Sequence, residues 1–316
     1  MKVEVWLAGI STTYLINYSL NQPTMKKLIF LLTILLPISA LAQDNMERHY
    51  KIYSTSKQKL VTLDDIVNDM NDADVLFFGE EHNDSTCHYL EYALLKKMFN
   101  KYPGDTGLSM EMFETDCQMV LNEYLENFIT EKSLISDARA WPNYKDYRPL
   151  IDYARLNHIP VIAANAPARY THLVNRDGLV SLERLSEAAQ SYLPPLPIDT
   201  LTGPYYEKFV AEMGGHSAVA GTQLYQAQSL WDATMGWSIS KFYKAHREYK
   251  ILQINGGFHS EEKLGTAEQL KIYAPKAKIL NIAASSDDSF NNPDWSKFTK
   301  MGDYIILTDP KMPRSF

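Results

Sequence analysis

The chain has 316 residues, 45% hydrophobic and 22% charged, a composition that suits one large α/β domain or a domain carrying a smaller insert. Its formal net charge is −7 and no Lys/Arg run exceeds two residues. This excludes the basic footprint of a nucleic-acid-binding surface.

In chain order, Met25-Lys26-Lys27 opens a short apolar run that ends at Ala40-Leu41-Ala42. A basic start, an apolar stretch and a small-x-small end are the parts of a secretory signal, so residues 25–42 are expected to be cleaved before Gln43. Residues 1–24 then read as a mis-assigned start or an unstructured extension. The apolar run is shorter than the roughly 20 residues a membrane span needs. No cysteine sits near the cleavage point. The expected product, residues 43–316, is exported to a periplasm without a lipid anchor or a transmembrane span. Only Cys87 and Cys117 are present. After export they could close one disulfide, with two free thiols as the alternative.

Short apolar runs bounded by Gly, Asn or Pro recur at 75–78, 107–113, 160–167, 249–257, 277–284 and 304–310. They are too short and too evenly apolar for amphipathic helices and predict strands buried on both faces. Helical spacing lies between most of them, around Leu90–Met98 and Leu150–Leu156. The alternation predicts a mostly parallel sheet flanked by helices. Residues 168–246 break the rhythm and read as a helical insert with pieces at 181–193, 204–213 and 222–246.

Ligands of open parallel sheets gather outside the carboxyl ends of the strands. There the chain offers Gly79-Glu80-Glu81-His82, then Asn83-Asp84-Ser85 as a helix cap, then Glu111 and Glu114, Asn165, and Gly256-Gly257-Phe258-His259. A carboxylate inside an apolar strand, as at Glu111, is costly unless paired or bound to a metal. Glycine followed three residues later by histidine occurs at two of these strand ends. The two imidazoles are therefore expected over one crevice, with Glu80, His82, Glu111 and His259 as catalytic candidates and His82, His259, Glu81 and Glu114 as divalent-metal candidates. A further stretch places Gln228, Trp231, Asp232 and Met235 on one helix face.

Taken in order, "GEEHND", "EMFE", the Trp141-to-Ala154 stretch, "NAP", "QSLWDATM" and "GGFH" resemble the ChaN-type haem-binding family, in the superfamily of the TIKI proteins and the erythromycin esterases. The resemblance runs from about Asp74 to Pro310. It implies a parallel-sheet core with a helical subdomain, haem as cofactor, a role in iron uptake and a homodimer sharing the haem. It also implies an alternative, a metal-dependent or Glu/His-dependent hydrolase of the TIKI peptidase or esterase kind. A non-catalytic partner-binding module is the third reading, since a fold does not fix a function. A haem site needs an apolar slot, an axial donor and cations for the propionates. Tyr205, Tyr206, Met213 and His216 in the insert, with Arg169 nearby in sequence, are the candidates for these parts.

Overall fold

The computed structural model describes residues 46–214 and 223–316. The signal segment and His216 lie outside the described residues. Residues 49–316 form one compact unit.

The chain starts the sheet with a hairpin that the apolar pattern does not announce, β1 (Tyr50–Ser54) and β2 (Lys59–Leu60). Then follow β3 (Val75–Glu80), β4 (Thr106–Glu114), β5 (Val161–Asn165), β6 (Lys250–Gly256), β7 (Ile279–Ser286) and β8 (Tyr304–Thr308). Among the described residues they make one eight-stranded sheet, ordered β2-β1-β8-β7-β3-β6-β4-β5. β3 to β8 run parallel, and β1 is antiparallel to both β8 and β2. The evenly apolar strands are explained by cover on both sides. Leu76 and Phe78 of β3 join the core on one face, while Val75 and Phe77 join the core on the other.

Among the described residues the helices are α1 (Leu63–Asp69), α2 (Ser85–Lys101), α3 (Gln118–Leu125), α4 (Glu131–Asp137), α5 (Tyr144–Leu156), α6 (Ala168–Asp177), α7 (Glu187–Gln190), α8 (Pro204–Glu212), α9 (Gln223–Ala245) and α10 (Thr266–Tyr273). Asp84 caps α2, accepting from Thr86 N at 2.7 Å and Cys87 N at 3.2 Å, as a short acceptor at that position should. None of the helices among the described residues is long and apolar enough to cross a membrane. α9 and α10 pack closely because Gly236 lacks a side chain. A Cβ there would stand 2.8 Å from the backbone nitrogen of Leu270.

The insert differs from expectation at its start. α6 occupies residues of the insert to which the sequence assigns no helical piece, and 181–193 is not one continuous helix. It is a 3₁₀ turn at Leu179–Arg184 followed by the four-residue α7. The break is local, since Leu185 and Ser186 are extended and the Ser186 side chain caps a new start. Cys87 and Cys117 are buried free thiols rather than a disulfide. Cys117 donates to the Ala138 carbonyl at 3.4 Å, and burial pushes its thiol up to about 12.

Strand order fixes where the site can form. β3 connects through α2 to β4, which lies beyond β6, while β6 connects through α10 to β7, which lies beyond β3. The crossovers from these two neighbours leave in opposite directions, the arrangement at which open α/β sheets place ligands outside the carboxyl ends of the strands. Glu80 and Gly256 are register partners at that point.

Candidate functional site

Glu80 ends β3 with its side chain fully buried, and His82 follows it with 36% of its side chain exposed. The His82 Nδ1 pairs with Glu80 Oε1 at 2.8 Å, and the Tyr147 hydroxyl of α5 donates to the same oxygen at 2.7 Å. The second oxygen, Oε2, faces His88 Nε2 at 3.3 Å. Burial would raise the Glu80 pKa, but the hydrogen bond and charge of His82, with His88 close by, outweigh it and hold the carboxyl ionised. Glu91, fully buried on α2, takes the opposite state. Burial and the Glu80 charge raise it well above the carboxylate range, so it stays a neutral acid beside Glu80. Burial opposes charge on His82, but the bond to Glu80 and the nearby Glu111 prevail and raise its pKa.

The second half repeats the first with different residues. His259, just beyond β6, pairs through Nδ1 with Asp232 Oδ1 at 2.7 Å. The Tyr205 hydroxyl of α8 donates to Asp232 Oδ2 at 2.5 Å, and Thr266 at the start of α10 donates to Oδ1 at 2.9 Å. Gln228 donates to the Tyr205 hydroxyl at 3.0 Å. Asp232 has no exposed surface. Burial lowers the His259 pKa, yet Glu111 and Asp232 outweigh it and bring it up to about 9.

The two halves meet at Glu111. A register shift between Met110 and Glu114 interrupts the pairing of β4 with β5, the kind of irregularity that re-aims a side chain. Glu111 Oε1 lies 3.5 Å from His259 Nε2, and its Oε2 accepts from Gly256 N at 2.7 Å. The ring of His82 lies against that same glycine, where a Cβ would stand 2.6 Å from its Nε2. Glycine at 256 is thus what lets the His82 ring approach β6. Each imidazole is held at Nδ1 by a buried carboxylate, each carboxylate is braced by a tyrosine, and each Nε2 is turned toward the Glu111–Gly256 region. Trp141 stands edge-on to His82 and Trp231 edge-on to His259, with ring centroids 5.2 and 6.5 Å apart. A carboxylate-oriented imidazole suits proton transfer to or from a bound molecule and is also how proteins present histidine to a metal; the His259 Nε2 already faces Glu111, so His82 is the better placed of the two for the second role.

The other sequence candidates lie elsewhere. Glu81 turns to the C-terminal stretch, accepting from Arg314 at 2.7 Å and Ser286 N at 3.0 Å. Glu114 pairs with Arg139 at 2.6 Å. The proposed metal set of His82, His259, Glu81 and Glu114 is therefore not assembled. Among the described residues, the metal-capable side chains drawn together are Glu114, Asp116 and Cys117. Arg139 and Arg169 already neutralise the two carboxylates there. Arg169 is committed to Asp116 and lies over the rings of Tyr170 and Tyr192. Tyr205 is fully buried, and burial beside Asp232 raises its phenol well above the usual range, so it braces His259 rather than facing a ligand. Tyr206 is half-buried, edge-on to Tyr225, and Met213 is 38% exposed.

Sequence reasoning did not assign Asp232, Tyr147, Glu91 or Thr266 to the site. The signal for Asp232 was its position on a helix face with Gln228 and Trp231. For Glu91 it was a charge next to Leu90 on an apolar helix.

Residues 66–270 match the family described as haem-binding uptake, Tiki superfamily, ChaN. A solved structure described as cofacial heme binding to ChaN of Campylobacter jejuni superposes with a TM-score of 0.61 at 16% identity. It covers 83% of this chain and 97% of that one. At that identity the likeness is one of fold. The chloroplastic Protein RETICULATA-RELATED 5 of Arabidopsis thaliana is 30% identical over 112 residues, which is 34% of this chain and 15% of that protein's length.

Proposed function

The chain belongs to the ChaN haem-binding uptake family of the Tiki superfamily, and from that premise we propose that it is an exported haem-binding protein serving iron uptake in a periplasm. The observation that carries this reading is the family match over most of the folded chain. The surface that fits the group is the outer stripe of α8. Tyr206, Val210 and Met213 fall at spacings of four and three on one helix face, half-buried or exposed, while Tyr205 and Phe209 point into the core. A phenol and a thioether are both axial donors to haem iron. Haem held there would supply the iron chemistry; this chain's part is to offer the donor and the apolar surface.

The test is a haemin titration of protein recovered from the native compartment, with its first residue read. Saturable binding with a shifted Soret band and a start near Gln43 are expected. Tyr206→Phe combined with Met213→Leu should weaken haemin binding roughly tenfold or more. Unchanged binding in the double variant removes the α8 assignment, absence of any haemin binding removes the function, and retention of residues 26–42 removes export.

A second reading, hydrolysis, is favoured by one observation: two carboxylate–imidazole pairs aimed at one glutamate. In it His82 or Glu111 takes a proton from water and His259 polarises the substrate. Against a panel of p-nitrophenyl esters and peptide amides, His82→Ala and His259→Ala should each lose roughly 10²- to 10⁴-fold. The double variant should be no worse than either single, because groups acting as one unit are not additive. Small additive losses, or no cleavage by the parent, would sink this reading.

A further inference from the structure

β5 is the last strand of the sheet, and a trough runs along its free edge between α3 and α9. Two cavities of about 420 and about 450 Å³ make it up, and they share Asn122, Pro160, Phe242 and His246. Neither is lined by a residue of the His82–His259 cluster. A free strand edge ordinarily invites another strand, but here it is already taken. The Gln118 amide donates to Val161 O and accepts from Ala163 N, both at 2.8 Å. The trough is therefore built for something other than an added strand.

Its α9 wall is formed by Ser238, Lys241, Phe242 and Ala245, at spacings of three, four and seven, which put them on one helix face. Phe242, His246 and Tyr249 pack on one another at tilted and edge-on angles with centroids 4.5 to 5.3 Å apart, giving the middle of the trough an aromatic side. Lys241 is the exception on this wall. Its ammonium makes none of the ion pairs found among the described residues, and its cationic contact is with the Trp237 ring at 5.9 Å. Lys241 is exposed and lines the first of the two cavities. One turn earlier, Ser238 is 4% exposed and its hydroxyl is buried without a hydrogen-bond partner. An unpaired cation and an unpaired hydroxyl beside an aromatic wall are complementary to an amphipathic anion.

We propose that this trough is a second ligand site, which takes a long-chain carboxylate with its head group at Lys241 and its apolar body against Phe242 and Tyr249. The site is independent of the haem reading and lies apart from α8. A free fatty carboxylate and a haem propionate share the head-group chemistry, and the experiment separates them.

Isothermal titration of the whole protein with dodecanoate should give saturable one-site binding. Lys241→Met should weaken it roughly tenfold or more, the scale of a lost charged hydrogen bond, while Lys241→Arg should keep most of it. Haemin affinity should be the same in Lys241→Met as in the parent. The proposal is overturned if dodecanoate does not saturate, or if Lys241→Met binds it as the parent does. It is overturned equally if Lys241→Met loses haemin in parallel, since the trough would then belong to the haem. A melting temperature unchanged in Lys241→Met shows that any loss is not unfolding.

Discussion

Asp232→Ala should cost about 3–5 kcal/mol of folding stability, the range for removing one partner of a buried charge pair. The carboxylate has no exposed surface and serves His259, Tyr205 and Thr266 at 2.5 to 2.9 Å. Its removal leaves an imidazole and two hydroxyls facing a void. Each orphaned donor adds its own desolvation penalty, and water has little room to replace the carboxylate because α9 and α10 touch at Gly236. Asp232→Asn separates the causes. The amide oxygen can still accept from a hydroxyl but brings no charge to His259, so it should lose an intermediate amount. Urea unfolding of the two variants decides the matter. A loss below about 1 kcal/mol for Asp232→Ala would mean that the network is not a structural unit.

Such a network was only partly legible in the sequence. The buried strands were readable because a strand covered on both faces is apolar at every position, as Val75–Phe78 is. The clustering of polar residues at the strand ends followed from chain order, since polar residues appear where those runs stop. β1 was not readable, because Tyr50–Ser54 is buried only at Ile52 and Ser54 and its pattern is no different from that of many loops. The pairing of His259 with Asp232 was beyond reach for another reason. The partners are 27 residues apart, and only the packing of α9 over the sheet decides which polar residue of that helix faces β6. Glu81 illustrates the converse. Adjacent to Glu80, it points the other way because successive residues of an extended chain alternate in direction, and Arg314, 233 residues later, receives it.

The charges of the two halves make stability depend on pH, in a direction that can be worked out. His259 has an ordinary pKa of 6.5 and stands at about 9 when folded, so the folded state binds its proton more tightly. That contribution is fully present below pH 6.5 and disappears as pH rises through 9. At about 1.4 kcal/mol per unit it amounts to about 3 kcal/mol. The His82 and Glu91 pKa values are also raised, so each withdraws stability as pH climbs above its ordinary pKa. Glu80 is lowered and acts oppositely, contributing above its ordinary pKa and losing that share in acid. Chelator-treated protein should therefore be most stable in mildly acidic solution and weaken toward pH 9. His259→Gln isolates one share of this. The stability gap between parent and variant, read from urea unfolding at each pH, should narrow by about 3 kcal/mol between pH 6 and pH 9.5. A gap that stays constant across this range would show that His259 carries no extra proton in the folded state, and the picture of an imidazolium clamped between Asp232 and Glu111 would fail with it.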